Sequence, residues 1–325
     1  MKMKKILTWI LILIMSFALV SCGDQETLPS ETNSPPPDSA ASNITPLLYK
    51  VTDEQGNVVW LFGSIHVGRD DYYPLPDYVL DAFDFSDCLA VEANILKFEQ
   101  DMNLQVQALS ELVYKDGTKI KDHIPEEVYT EAVNVLKELN VYSSMFDMYC
   151  PMFWSSMIES LQMEKLGIKS DLGIDYHLLK RADRLDKRIL EIESVKFQYK
   201  MMADFSDDLQ TVLLMQSLNS FENKEETKVE MNKLLDLWAA GNEEEFSRYL
   251  SNDLAEVSDE EIALYDEYYK AMFTDRNMAM ADYAENALKQ SKEVFICVGA
   301  AHIVGEDAVA DLLAERGYTV ELIVQ

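Results

Sequence analysis

The sequence is short of basic residues, and this shortage excludes one large class of partners. It has 28 Lys and Arg against 58 Asp and Glu, which gives a formal net charge of −30 over 325 residues. Such a charge repels a phosphate backbone, so we predict no binding to nucleic acid. The hydrophobic content of 48% in turn excludes a mostly disordered chain and is ample for a folded core.

Cysteine and histidine are also scarce, with four of each. Cys22 lies in the N-terminal segment, and three cysteines follow it, namely Cys88, Cys150 and Cys297. An odd number argues against a disulfide framework, and none of the three has a Cys-x-x-Cys partner. We expect buried thiols, although the sequence leaves open a pairing between two of them. Two common hydrolase motifs, His-Glu-x-x-His and Gly-x-Ser-x-Gly, are missing as well.

The first 46 residues are typical of a targeting segment followed by a linker. Three lysines precede an apolar run over residues 6–20, which is too short to span a membrane comfortably. The ending Leu-Val-Ser-Cys resembles the bacterial lipobox, whose cysteine becomes lipidated. We therefore predict a lipoprotein signal peptide over residues 1–22 with Cys22 as the lipid anchor, a flexible tether over 23–46 and one domain over 47–325. The domain is expected in the bacterial cell envelope, outside the cytoplasmic membrane and anchored to its outer face.

Apolar runs, turns and helix caps predict an α/β (α+β) fold. Strands are expected at residues 47–51, 58–62, 88–91, 189–192, 294–298 and 318–324. The first two flank a turn and predict a hairpin, and the last two flank a helix, which implies parallel strands. Helical spacing predicts helices near residues 153–166, 176–182 and 197–218, among others. The expected architecture is a central mixed sheet with a large helical insert between its halves.

Four of the predicted strands lead into a side chain that can bind a metal. Gly63-Ser64-Ile65-His66 and Gly299-Ala300-Ala301-His302 each follow an apolar strand, and Glu92 and Glu193 follow two others. If these strands share one direction in one sheet, the four side chains meet at the edge where open α/β sheets place ligands. Imidazole and carboxylate together suit Zn, Mn or Co. A single such histidine would more often be a hydrogen-bonded core residue, but two matched copies favour a site.

A set of short motifs, taken in order, resembles the TraB/GumN family, which includes the Tiki membrane-anchored metalloproteases. The motifs are the paired Gly-x-x-His segments, Glu92, Gly173-Ile174-Asp175, Leu190-Glu191-Ile192-Glu193 with Gln198, Arg276-Asn277 and the run from Gly299 to Gly305. The resemblance implies a sheet-centred fold akin to the erythromycin-esterase and ChaN-like proteins and a divalent-metal peptidase. It also implies metal ligation by His66 and His302, with Glu92 as ligand or general base. Glu193, Arg276 and Asn277 would be secondary site residues.

The leading hypothesis is a lipid-anchored, extracytoplasmic metal-dependent hydrolase that acts on peptide bonds. His66, His302 and Glu92 would hold the divalent metal, and Glu92, Glu193 and Arg276 are the candidate catalytic residues. Its partners would be a peptide or small-molecule substrate and, through the lipid, the membrane. Two alternatives stay open: a non-catalytic lipoprotein that binds a peptide or signal in the same cleft, and an envelope protein whose helical insert docks a partner.

The other two histidines are given lesser roles. His123, in a loop context beside Asp122, is expected on the surface. His177 lies just inside a predicted helix and is a minor candidate for the site.

Overall fold

One mixed sheet organises the part of the chain that a computed structural model describes, residues 43–251, 258–305 and 307–323. Its strands are β1 (Leu48–Thr52), β2 (Val58–Ser64), β3 (Cys88–Val91), β4 (Arg188–Glu191), β5 (Val294–Gly299) and β6 (Thr319–Leu322). They lie in the order β4-β3-β5-β2-β1-β6. β1 is antiparallel to β2 and β6, and the other neighbouring pairs are parallel. The carboxyl ends of β2, β3, β4 and β5 therefore share one edge of the sheet.

The strand predictions are confirmed with small shifts of their ends, and the predicted hairpin is the β1–β2 pair. The closing strand–helix–strand unit is confirmed in direction, because β5 and β6 both run antiparallel to β1. The two strands are not neighbours, however, since β2 and β1 lie between them. The apolar pattern indicates each strand, whereas pairing between strands distant in sequence decides their order.

Helices cover the sheet and form a second layer beyond it. The α-helices of the described residues are α1 (Asp77–Phe85), α2 (Ile95–Gln100), α3 (Met102–Leu109), α4 (Glu126–Glu138), α5 (Pro151–Lys165), α6 (Ile174–Arg184), α7 (Val195–Ala203), α8 (Asp207–Glu222), α9 (Lys224–Ala240), α10 (Glu243–Leu250), α11 (Asp259–Tyr269), α12 (Asp275–Lys289), α13 (Ala300–Ile303) and α14 (Val309–Glu315). Short 3₁₀ turns cover Asp70–Tyr72, Ser110–Leu112, Ile120–Asp122, Ser144–Met148 and Ser170–Leu172. A π-helical segment, Lys270–Thr274, joins α11 to α12.

The helical insert is confirmed, but β4 divides it in two. Helices α2 to α6 lie between β3 and β4, and α7 to α12 lie between β4 and β5. Two apolar clusters result: one surrounds the sheet and includes Phe62 and Phe295, and the other holds the insert together around residues such as Trp154 and Leu213. The edge of the sheet that carries the candidate site faces this second layer, since Arg276 of α12 reaches Glu92 after β3.

Several helices begin or end at residues whose side chain or backbone conformation favours a helix terminus. Gly241 ends α9 in the left-handed conformation, with φ of 59°, and the Asn242 side chain accepts from Glu245 N at the start of α10. Ser258 and Glu261 form a capping box at the start of α11. The single helix expected at 197–218 is wrong, because Ser206 accepts a hydrogen bond from Leu209 N and begins a separate helix, α8.

Residues just before the predicted start of the domain already contact it. Ile44 is buried, and Thr45 N donates to the carbonyl of Ala239 at 2.8 Å. Residues 44–46 thus pack on the folded domain, although the sequence placed them in the tether. The predicted signal peptide, the lipid anchor Cys22 and most of the tether lie outside the described residues.

Two further observations concern the cysteines and membrane segments. Cys88, Cys150 and Cys297 are free and buried, which settles the pairing that the sequence left open. In the part of the chain that the structure describes, no helix combines the length and the apolar character needed to cross a membrane.

Candidate functional site

Four side chains converge at the carboxyl edge of the parallel strands, as the matched motifs predicted. His66 follows β2, Glu92 follows β3, Glu193 follows β4 and His302 lies on α13 directly after β5. His302 Nε2 is 3.9 Å from Glu92 Oε1. Arg276, predicted from the resemblance, lies between the two glutamates and is only 1% exposed. Residues more than 200 positions apart in the chain therefore form one buried polar cluster.

Arg276 binds both carboxylates at once. Its Nη2 donates to Glu92 Oε2 at 2.6 Å and to Glu193 Oε2 at 2.9 Å, and its Nε donates to Glu193 Oε1 at 2.7 Å. Its Nη1 donates to the carbonyl of Met272, which lies in the π-helical segment. Burial alone would lower the pKa of Arg276, but the two carboxylates raise it, so the guanidinium stays charged.

Glu92 is the most heavily bonded carboxylate of the cluster. Besides the bond from Arg276, its Oε1 accepts from Gly299 N at 2.7 Å and its Oε2 from Gln198 Nε2 at 3.2 Å. Burial would raise the pKa of Glu92, but the charge of Arg276, with smaller contributions from His302 and His66, lowers it to about 2. Glu92 is therefore ionised at neutral pH despite being 6% exposed.

His302 is held in one tautomer by Asn277. The Asn277 Nδ2 donates to the carbonyl of Asp307 at 2.9 Å, which directs its Oδ1 toward the ring. His302 Nδ1 donates to that oxygen at 2.7 Å, so Nε2 keeps a free lone pair. Burial and the charge of Arg276 lower the pKa of His302 to about 3, which keeps the ring neutral. The ring of Phe273 packs against it at 5.5 Å.

His66 has a different partner, the carboxylate of Asp175. His66 Nδ1 donates to Asp175 Oδ2 at 2.8 Å. Burial would lower the pKa of His66, but the charge of Asp175 and its hydrogen bond raise it. Gly173 makes this contact feasible, because a Cβ there would lie 2.5 Å from the His66 carbonyl oxygen. The next residue, Ile174, donates its N–H to the carbonyl of Ile65 and anchors α6 beside β2.

A cavity of about 30 Å³ lies beside His66 and Glu92. Its lining consists of Ser64, His66, Val91, Glu92, Ala93, Ile95, Asp175, Gln198 and Cys297. This volume can accommodate a water molecule, which needs about 10–15 Å³ by the same measure. Among the described residues, Asp175 Oδ1 has no hydrogen-bond partner although it is buried. A water molecule or an ion in this cavity would give the buried oxygen a partner.

Two residues of the motif set, for which the sequence predicted no individual role, contact the cluster in the structure. Asp175 orients His66, and Gln198 bridges Glu92 and Glu193. In the sequence, their membership of the ordered motif set was the one indication that they belong to the site. The remaining histidines lie elsewhere: the ring of His177 packs at a tilt against Tyr73, with centroids 4.4 Å apart, and does not line the cavity. His123 is partly buried and forms hydrogen bonds with Thr118 and Asp207, neither of which belongs to the cluster.

The predicted metal ligands are close together but do not form a ready-made metal site. In the portions of the chain described, no group of three or more His, Cys, Asp or Glu side chains could hold a metal ion as they stand. Arg276 already forms ion pairs with both Glu92 and Glu193. Metal ligation by His66, His302 and Glu92 therefore stays a prediction.

Comparison with known proteins places the chain in a family. The family model described as TraB/PrgY/gumN matches residues 47–322, which include every residue of the cluster. An uncharacterized protein, YbaP, of Escherichia coli (strain K12) is 27% identical over 256 residues, or 78% of this chain and 86% of the relative. YbaP of Shigella flexneri matches to the same extent. No solved structure matches the chain significantly. Because the family model covers most of the sequence and the whole site, this chain belongs to the TraB/PrgY/gumN family.

Proposed function

We propose that this chain is a metal-dependent hydrolase of the bacterial cell envelope that acts on peptide bonds. One observation carries the proposal: two imidazoles, each with its Nδ1 bonded to an oxygen, and an ionised carboxylate meet near a small cavity at the edge of the sheet. Lipidation at Cys22, followed by the tether, would hold the domain outside the cytoplasmic membrane.

The donor set fits a first-row divalent metal in its chemistry. Each histidine gives its Nδ1 hydrogen to an oxygen, His66 to Asp175 and His302 to Asn277, as metal-binding histidines usually do. Glu92 supplies the negative charge, and the orphan Asp175 Oδ1 offers a further acceptor. His66 Nε2, His302 Nε2 and Glu92 would hold the ion, for which Mn, Co and Zn all suit. Bound there, it would polarise a carbonyl and acidify a water molecule.

The chain's own groups divide the remaining tasks. Glu92, with a pKa of about 2, is a weak proton acceptor and suits the role of an anionic ligand. Glu193 is then the candidate acceptor for the proton of the attacking water. Arg276 holds both carboxylates in place, and its fixed positive charge favours negative charge that develops on the substrate oxygen.

The binding-protein alternative also has an observation in its favour. Arg276 pairs both glutamates, so each carboxylate has a cationic partner without a metal. A cleft of this kind can hold a peptide without cleaving it. This reading predicts saturable peptide binding that a chelator does not change and no turnover.

Metal content and peptide cleavage test the proposal together. The purified chain would be exposed separately to Mn²⁺, Co²⁺ and Zn²⁺, desalted and analysed by mass spectrometry of its metal. We expect about one equivalent in the wild type and its loss in a His66→Ala/His302→Ala variant. The matched control is His123→Ala, which removes a histidine outside the cluster. Equal trace metal in all three proteins would refute the metal site.

A peptide-library digest separates the two functions. Cleavage that disappears with the His66→Ala/His302→Ala variant supports the hydrolase. Binding without cleavage in metal-loaded wild type supports the binding protein instead.

A further inference from the structure

A groove of about 870 Å³ borders the ion-pair cluster through Glu193 and Arg276. Its other lining residues are Ile192, Ser194, Phe197, Lys200, Met201, Asp204, Phe205, Glu267, Lys270, Ala271, Asp275 and Ala279. The volume lies in the range of pockets that take a drug-sized ligand or a short stretch of peptide. The groove is separate from the small cavity beside His66, but both contact the same four-residue network, because Gln198 and Arg276 each bind Glu92 and Glu193.

Helix α7 forms an apolar wall of this groove. Its core side carries the buried residues Tyr199 and Met202, whereas Phe197 and Met201 line the groove. Phe197 is 48% exposed, so its ring is accessible to a ligand in the groove. The π-helical segment and α12 contribute two small side chains, Ala271 and Ala279, which leave room inside the groove. An exposed aromatic ring next to such space is typical of a binding surface.

Charges of both signs surround the apolar walls. Lys200 pairs with Asp204, and Lys270 pairs with Asp275, so both ion pairs lie in the lining of the groove. All four side chains are more than half exposed, which leaves hydrogen-bonding capacity toward a ligand. Donors and acceptors side by side match the N–H and C=O groups of a peptide backbone. A fatty acyl chain has neither group and could not form hydrogen bonds with these charged side chains.

We propose that this groove is the subsite for a bulky apolar side chain, such as Leu, Phe or Met, of a peptide substrate. The inference rests on the proposed peptidase function and adds its specificity. Glu193 and Arg276 line the same groove as Phe197 and Met201, so a side chain bound against the two apolar residues places the adjoining peptide group near the cluster.

Peptide binding to the full chain tests the subsite without requiring cleavage. The probes are fluorescein-labelled peptides of one length with Phe, Leu or Ala fixed at the central position, measured by fluorescence anisotropy. We expect the Phe and Leu peptides to bind at least about tenfold more tightly than the Ala peptide. In a Phe197→Ser variant this preference should shrink to within about twofold, and Phe197→Leu should retain most of it. Phe85→Ser is the matched control, since Phe85 is a 78% exposed phenylalanine outside the groove.

Each outcome decides the inference. A preference that survives in Phe197→Ser, or that falls equally in Phe85→Ser, overturns it, as does the absence of peptide binding to the wild type. Displacement of the peptides by fatty-acid micelles alone, with no dependence on the central residue, assigns the groove to lipid and also overturns it. Loss of cleavage in the His66→Ala/His302→Ala variant with the Phe preference intact supports both proposals. Peptide binding with the expected preference but no cleavage by any protein supports the subsite while refuting the hydrolase.

Discussion

Replacing Arg276 with Met should destabilise the protein far more than the loss of a surface arginine would. The side chain is 1% exposed and compensates two carboxylates that are 7% and 6% exposed. Its removal leaves two unpaired charges in the interior, and breaking a buried pair in this way costs about 3–5 kcal/mol.

The pH dependence has a definite sign. In the wild type, the pKa of Glu92 is lower in the folded than in the unfolded protein, so its contribution is present above pH 4.5 and is lost as the pH falls toward 2. In Arg276→Met, the charge that lowers the pKa of Glu92 is gone, so burial raises this pKa. The deficit of the variant should therefore be largest at pH 7.5 and should shrink toward pH 5, where the carboxyl groups can take up protons.

Urea unfolding followed by circular dichroism, after treatment with a chelator, measures these differences. The control is Arg181→Met, which breaks the more exposed pair with Asp84 and should cost at most about 1 kcal/mol. A variant that also carries Glu92→Gln and Glu193→Gln should recover much of the loss, because the buried charges are gone. If Arg276→Met cost no more than Arg181→Met at pH 7.5, the cluster would not be the buried ion-pair network described above.

Three further predictions concern residues around the site and in the insert. Burial raises the pKa of Glu159 to about 8, so the free energy of unfolding should fall by up to about 5 kcal/mol as the pH rises from 4.5 to 8, and Glu159→Gln should flatten this slope in urea titrations. Gly173→Ala should cost about 1–3 kcal/mol and lower any hydrolytic activity, because its Cβ would press on the backbone of His66; an unchanged melting temperature and rate would contradict this. In a Cys22→Ser background the native chain should take up no iodoacetamide until it unfolds, because the remaining thiols are buried: Cys88, Cys150 and Cys297.

Local signals in the sequence predicted most of the elements correctly. The capping box at Ser258 and the Gly241–Asn242 helix boundary depend on atoms within one turn of the chain, so they can be recognised in a short window. The missed break before α8 is also local. The sequence Ser206-Asp207-Asp208 is an N-terminal helix signal, but it lay within an apolar pattern that continued on both sides.

The candidate site was predicted in part, because two of its requirements are local and the others are not. A glycine and a histidine after an apolar strand can be read from the sequence, and they led to His66 and His302. Their partners Asp175 and Asn277 lie 109 and 25 positions away, and no spacing rule connects them. The burial of Arg276 likewise results from contact with Glu92, which is 184 positions distant.

The sequence by itself determined which segments become strands and helices, where most helices begin and end, and which side chains stand at the ends of strands. The tertiary structure alone decided that β2, β3, β4 and β5 run in one direction, and this brings two histidines and two glutamates to one edge. The physical reason is that periodicity and capping arise from neighbours within a few residues. Strand order, the tautomer of each histidine and the charge state of Glu92 arise from packing between segments that meet only in the folded protein.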